Sequence, residues 1–340
     1  MVPRAGITFI GTRNRIEARL VPGHQFGFEA IWISGLRRRW TIENVLFPVK
    51  VLVSIIQSLL LLRRLRPGVV VGTGGYVCGP PLFAASLLGI PTLIQEQNSY
   101  PGITTRLLAK RADEVHLTFD GSRKYLTRSD NVHVSGNPTR ENVGKIGRAE
   151  GATAFGLIPD RRTLLVFGGS LGASSINAAV THMLPWLRAE QVQLLWQVGE
   201  TDFDGLRARI APETGDRIRM YRFIDRMEDA YAACDLAVCR AGATTVAELA
   251  RAGVPSVLVP YPHAAADHQT ENARAMVEKG AAVMVRDADL QGTLQETVQQ
   301  LLCDPGRLRE MRAGALRSGN PDAAAVLARA VLHLADTAHG

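Results

Sequence analysis

Short runs rich in β-branched residues alternate with helix-length stretches along most of this chain, in two series separated by a polar stretch. In the first series, residues 7–11, 30–33, 69–72, 92–95, 114–118 and 132–135 read as strands, with helices expected at 14–20, 45–65, 81–88 and 104–109. Residues 141–152 are polar. The pattern then restarts, with strands at 163–167, 193–197, 218–221, 236–239 and 256–259 and helices between and after them. Strands that alternate with helices of about ten residues form βαβ units, because parallel neighbours need a crossover. Two such series predict two doubly wound α/β domains. In sheets of this kind ligands bind beyond the carboxyl ends of the strands, where glycine turns open onto helix N-termini. The chemistry is therefore to be sought in the turns.

The 340 residues suit two domains of ordinary size. Lys and Arg number 39 against 32 Asp and Glu, a net charge of +7 that favours an anionic partner. Nucleic acid, a phosphorylated metabolite and an acidic membrane surface all fit that balance. Cys78, Cys234, Cys239 and Cys303 form no CxxC pair and have no histidines at zinc spacing, so they read as neutral thiols. The first residues lack the charged leader, apolar run and cleavage site of an exported chain.

Residues 45–62 approach the length of a membrane span. They contain Pro48, Lys50, Ser54, Gln57 and Ser58, and Arg63, Arg64 and Arg66 follow. Strand-like runs on both sides favour a crossover helix packed on a sheet. An apolar edge that dips into a membrane interface, with arginines on phosphates, is compatible with the same pattern.

Three turns stand out, two of them glycine-rich. Gly72-Thr-Gly74-Gly75-Tyr76-Val-Cys78-Gly79 follows a strand, and its bare amides could cradle a phosphate or simply turn the chain. Phe167-Gly-Gly-Ser170-Leu-Gly172-Ala repeats the design without the Lys-Ser/Thr ending of a Walker loop. Gly242-Ala243-Thr244-Thr245-Val246-Ala247-Glu248 opens a helix. Thr245 and Glu248 could form a capping box, or Glu248 could accept from the two hydroxyls of a ribose. Three polar clusters accompany the turns: Gln95-Glu-Gln-Asn98, Gly136-Asn-Pro-Thr-Arg140, and His263 with Asp267, His268 and Gln269. Amides suit sugar hydroxyls and Arg140 suits phosphate. The two histidines and Asp267 have no further metal ligand in evidence, so a hydrogen-bonding wall for a sugar is the better reading.

Taken together these blocks resemble the MurG family of peptidoglycan glycosyltransferases. GTGGYVCGP (72–80), QEQN (95–98), GNPTR (136–140), FGGSLGA (167–173), FIDRM (223–227) and the run from Cys239 to Ala273 come in family order. The resemblance implies a GT-B fold, two Rossmann-like domains facing across a cleft. Residues 1–142 would form the acceptor and membrane-side domain, rejoined by a helix at 322–340, and residues 143–321 the donor domain. It implies an inverting transfer of N-acetylglucosamine from UDP-N-acetylglucosamine to the 4-hydroxyl of an undecaprenyl-diphosphate-linked muramoyl-pentapeptide, without cofactor or metal. Asn98, Arg140, Ser170, Ile224, Ala243, Thr244, Thr245, Val246, Ala247, Glu248 and Gln269 are assigned to the donor. Of these, Ile224 would meet the uracil edge, Glu248 the ribose and Ser170 the diphosphate. Gly74, Gly75, Tyr76 and Gly79 are assigned to the acceptor or phosphate loop. The implied location is the cytoplasmic face of the plasma membrane, held peripherally on its anionic surface, with cell-wall synthesis proteins as further partners and no nucleic acid.

This sequence departs from the family pattern in three places. Gln95 replaces a usual His, Cys78 replaces a usual Ser, and the chain starts after the family's first strand and its GGTGGH loop. The expectation is a first domain incomplete at its N-terminus, a longer natural protein, and no nameable catalytic base. The alternatives are an inactive UDP-sugar-binding homologue and a UDP-sugar 2-epimerase on the same scaffold.

Overall fold

The computed structural model describes residues 5–35, 45–169, 172–210 and 217–337. They fall into two compact units: Met1–Gln97, Pro101–Ser135 and Ala325–Gly340 in the first, Asn98–Tyr100 and Gly136–Ala324 in the second.

In the first unit, β1 (Thr8–Gly11) pairs in parallel with β2 (Gly27–Ala30), with α1 (Glu17–Gly23) between them. The expected strand at 30–33 thus lies earlier. The ladder ends where β1 ends, with the Ile31 N–H donating to Gly11 O, and the next amide, Trp32 N–H, donates to Gln57 Oε1. Helix α1 starts later than expected because Glu17 turns back to accept from the Thr12 amide and hydroxyl at 3.3 and 3.2 Å. A separate parallel sheet runs β3 (Val70–Gly72), β4 (Thr92–Glu96), β5 (Glu114–Leu117), β6 (Val132–Val134) in that spatial order.

Helix α2 (Phe47–Leu65) and α3 (Gly79–Leu88) cross over around β3, and α4 (Ile103–Leu108) follows β4. Leu62, Leu82, Ala84, Ile94, Val115 and Leu117 form the core on one face of this sheet. On the other, Leu93 meets Leu327 and Leu334 of α13 (Ala323–Thr337).

Over its first three turns helix α2 departs from the usual amphipathic arrangement. Its inward face carries Lys50, Ser54 and Ser58 before Leu61 and Leu62 join the core, while Val49, Leu52, Ile56 and Leu60 lie exposed at three- and four-residue spacing. The inward polar groups are satisfied. Lys50 Nζ donates to Ser34 Oγ at 3.0 Å, and the serines donate to the Val51 and Ser54 carbonyls. Among the described residues no helix is long and apolar enough to cross a membrane.

The second unit holds a six-stranded parallel sheet, β7 (Thr163–Phe167), β8 (Gln193–Gln197), β9 (Ile218–Tyr221), β10 (Leu236–Cys239), β11 (Ser256–Leu258) and β12 (Ala282–Met284). Their spatial order is β12-β11-β10-β7-β8-β9, doubly wound from β7. Apolar residues occupy both faces of the central strands, as parallel strands covered by helices require. Helices α6 (Ser174–Ala189), α7 (Phe203–Ile210), α8 (Met227–Ala233), α9 (Ala243–Ala252), α10 (His268–Glu278), α11 (Leu290–Cys303) and α12 (Pro305–Ser318) complete the unit. The polar stretch after residue 141 contributes a further helix, α5 (Arg148–Ala154). It is fixed by a bidentate pair from Arg148 to Asp235, both contacts 2.8 Å.

Candidate functional site

In the second unit the chain leaves β7 toward β8 on one side and reaches β10 on the other, so the strand order reverses between β7 and β10. A crevice at the carboxyl ends of the strands belongs at such a switch point. Two segments flank it, the one that follows β7, described at 168–169 and 172–173, leading into α6, and residues 240–242 leading into α9. Gly172 has φ +82°, and a Cβ there would lie 2.2 Å from Val198 O, so both conformation and space demand glycine. Ser170, the expected diphosphate contact, lies outside the described residues, as does Leu171.

Gln197, at the end of β8, ties this turn to the next one. Its Nε2 donates to Gly169 O at 3.0 Å and its Oε1 accepts from the Ile224 N–H at 2.9 Å. Ile224 itself is buried, and a base approaching its N–H has to compete with Gln197.

Helix α9 begins at Ala243, with Gly242 in the cap position and no side-chain cap. The capping box is therefore absent: Thr245 sits inside the first turn, and Glu248, a turn further on, faces the interior. Glu248 is 7 % exposed and accepts from the Tyr231 hydroxyl at 3.0 Å. Burial raises its pKa above the usual carboxylate range. The Tyr231 bond and the Arg140 charge oppose that shift, and Glu228 adds to it. Arg140 donates to Asp225 O and lies 3.6 Å from Glu228. The structure thus brings Arg140, Ile224 and Glu248 into one neighbourhood. Of the remaining α9 residues, Thr244 is exposed, Ala243, Thr245 and Ala247 are half-buried, and Val246 is core.

A second network underlies the β10, β11 and β12 turns. Arg240 donates to Asp287 and, at 2.9 Å, to Ser175 Oγ, and Ser175 donates to Asp287 at 2.7 Å. The Arg240 guanidinium also lies 5.5 Å from the Tyr261 ring centroid. The Tyr261 N–H donates to Gln269 Oε1 at 2.9 Å, which fixes that expected donor residue. Asn98 is held by buried Asn272, whose Nδ2 donates to Asn98 Oδ1 and Ala241 O and whose Oδ1 accepts from the Ser99 N–H. Among the described residues no group of three His, Cys, Asp or Glu side chains is placed to hold a metal.

In the first unit, Gly74 and Gly75 have φ of +84° and +75°. Gln97 packs on Gly74 and donates to Thr73 O at 2.7 Å, so this glutamine shapes the loop. Gly79 is the first residue of α3, and the Tyr76 ring lies on Gly35. The loop borders a cavity of about 740 Å³ whose lining includes Arg13, Arg15, Trp32, Ser34, Gln57 and Tyr76. Cys78 is pushed up to about 11 by burial and stays a neutral thiol.

Tyr231, Gln197 and Asp287 were not singled out by the sequence, and Arg240 and Asn272 entered only as part of longer blocks without a role of their own. Tyr231, Gln197 and Asp287 stand in no glycine turn with a recognisable spacing, and their partners are 17 to 47 residues away.

The sequence matches the glycosyltransferase family 28 N-terminal domain over residues 3–117 and the C-terminal domain of the same family over residues 163–327. The chain belongs to glycosyltransferase family 28. Its family 28 relatives include an enzyme of Chlorobium limicola, 44% identical, covering 98% of this chain and 92% of the relative. It is named UDP-N-acetylglucosamine–N-acetylmuramyl-(pentapeptide) pyrophosphoryl-undecaprenol N-acetylglucosamine transferase. The enzyme of that name from Salinibacter ruber is also 44% identical, over 98% of this chain and 90% of its own length. The crystal structure of Acinetobacter baumannii MurG superposes with a TM-score of 0.76 at 29% identity, over 96% of this chain and 90% of that one. The two-domain parallel α/β architecture is that of the GT-B glycosyltransferases, and the chain is a hexosyltransferase of this family.

Proposed function

We propose that this chain transfers N-acetylglucosamine from UDP-N-acetylglucosamine to the 4-hydroxyl of an undecaprenyl-diphosphate-linked muramoyl-pentapeptide, with inversion at the anomeric carbon. The observation that carries the reading is the 44% identity to transferases of that name over 98% of the chain. The switch-point geometry supports it. Glu248 takes the ribose, the segment around Ile224 takes the base, and the turns before α6 and α9 take the diphosphate. The oxygen of the acceptor 4-hydroxyl attacks the anomeric carbon and gives up its proton to solvent, and the bond to the diphosphate breaks with the electron pair leaving on UDP. Helix N-termini and backbone amides aimed at the diphosphate stabilise that developing charge. The remaining donor residues are Asn98, Arg140, Ser170, Gln269 and the first turns of α9.

For the acceptor, the Gly74–Gly79 loop and the cavity beside it offer Arg13 and Arg15 to a lipid diphosphate. The exposed stripe of α2, continued by Arg63, Arg64 and Arg66, suits an anionic membrane surface, where apolar side chains sink and arginines meet phosphates. This reading places the protein peripherally on the cytoplasmic face of the plasma membrane.

The test is release of UDP with and without a lipid-linked muramoyl-pentapeptide. Acceptor-dependent release with formation of the disaccharide is expected. Conversion of UDP-N-acetylglucosamine without acceptor would instead establish the epimerase alternative. Donor binding with no transfer would leave the sugar-binding homologue.

A further inference from the structure

The reading of Glu248 as the ribose carboxylate leaves open what holds a buried acid in the required rotamer, and the structure assigns that task to Tyr231. We propose that Tyr231 is a positioning residue for nucleotide recognition, its hydroxyl fixing the Glu248 carboxylate so that the remaining lone pairs meet the ribose hydroxyls. The inference rests on that reading of Glu248.

The geometry carries it in three steps. First, the Tyr231 hydroxyl donates to Glu248 Oε2 at 3.0 Å, and both side chains are buried. A carboxylate offers about four acceptor sites, so one bond from tyrosine leaves places for two ribose hydroxyls. Second, the Tyr231 ring is itself fixed. It meets the edge of Phe167 at a centroid distance of 6.0 Å, and Phe167 is the last residue of β7, directly before the glycine turn. The donor is thereby tied to the strand from which the phosphate-side turn springs. Third, the nearby cation does not do the same work. Arg140 is engaged with Asp225 O and with Glu228, and it reaches Glu248 through its field. Burial keeps the Tyr231 phenol protonated, so it acts as a donor at every working pH.

Calorimetry on the full chain with UDP and 2′-deoxy-UDP as probes tests the idea. The wild type should bind UDP about tenfold more tightly than 2′-deoxy-UDP, the discrimination expected of one hydrogen bond to a charged group. Tyr231→Phe should lower that ratio toward one by weakening UDP alone, with the thermal midpoint recorded beside it. Glu248→Gln should lower the ratio in the same way. The double variant Tyr231→Phe/Glu248→Gln should bind UDP no more weakly than Glu248→Gln, because the two residues act as one unit. It removes the hydroxyl and the buried charge together, so it remains informative should the single Phe variant, which leaves a buried carboxylate without its donor, fold poorly.

A Tyr231→Phe protein that keeps the wild-type ratio while Glu248→Gln loses it would overturn the positioning role and leave the ribose reading standing. A double variant markedly weaker than Glu248→Gln would also overturn it. If Glu248→Gln itself keeps the wild-type ratio, the ribose reading fails and the inference falls with it.

Discussion

Glu248 concentrates the site's electrostatics in one side chain. Its pKa is raised chiefly by burial. An acid whose folded pKa lies above its unfolded value of about 4.3 takes up a proton earlier in the folded state on acidification. Its burial therefore costs stability above the folded pKa, and that cost is relieved as pH falls through it. Function follows the opposite course, since a protonated carboxyl is the poorer acceptor for ribose hydroxyls. Affinity for UDP is expected to fall on acidification while Glu248 is gaining its proton, and Glu248→Gln should remove that acid limb and bind about tenfold more weakly at neutral pH. Binding isotherms across the acid range check this, and an unchanged acid limb in the variant would refute it. The sequence marked Glu248 but left its role divided between capping and ligand binding. Only the helix start at Ala243 separates the two, because it moves Thr245 off the cap. Tyr231 was illegible for a different reason: it comes opposite Glu248 only when α8 and α9 are both packed on the sheet.

Two elements show how packing decides what a sequence pattern leaves ambiguous. The apolar run that became α2 was readable as a helix, yet its orientation was not, since Lys50, Ser54 and Ser58 turn inward on the same side as Leu61 and Leu62. Their polar atoms find partners inside, which frees the apolar stripe for the outside. Replacing Leu52 and Ile56 by Glu should abolish co-sedimentation with anionic vesicles while leaving UDP affinity within about twofold, since each change removes buried apolar area and adds repelled charge. Undiminished vesicle binding would show that another surface docks.

The second case is the turn after β10, where Arg240 is 12 % exposed and joins Asp287 and Ser175. Truncating one partner of a largely buried ion pair strands the other. Asp287→Ala is therefore expected to cost about 3 kcal/mol in denaturant unfolding. By loosening Tyr261 and its hold on Gln269, it should also raise the KM for the donor more than it lowers kcat. A variant as stable as the wild type would show that the pair is solvated.

At the scale of the whole molecule, the two series of strands were legible from alternation alone except for β12, a three-residue edge strand in a stretch that reads as helical, and the six-stranded sheet follows the doubly wound order. What alternation could not convey is that the first series divides into a β1–β2 pair and a four-stranded sheet. Pairing is decided by which edges meet, and the strand-forming runs are the same either way. The division has a dynamic consequence. An isolated two-stranded sheet is marginal, and among the described residues the polar ties of this sheet and the segment after it to α2 are Trp32 to Gln57, Ser34 to Lys50 and Glu29 to Arg64. Phe9 and Ile7 are also left largely exposed. By contrast, β7, β8 and β10 are paired on both sides and buried throughout. Amides of β1 and β2 are therefore expected to exchange through local opening, orders of magnitude faster than those of β7, β8 and β10, which should exchange only with unfolding of their unit. Hydrogen exchange followed by mass spectrometry resolves these segments. Adding UDP should slow exchange around residues 168–173 and 240–248 while leaving β1 and β2 unchanged, because a ligand protects the parts whose opening abolishes its site. Equal protection of β1 and β7 without ligand would mean that the small sheet is supported far better than its contacts allow.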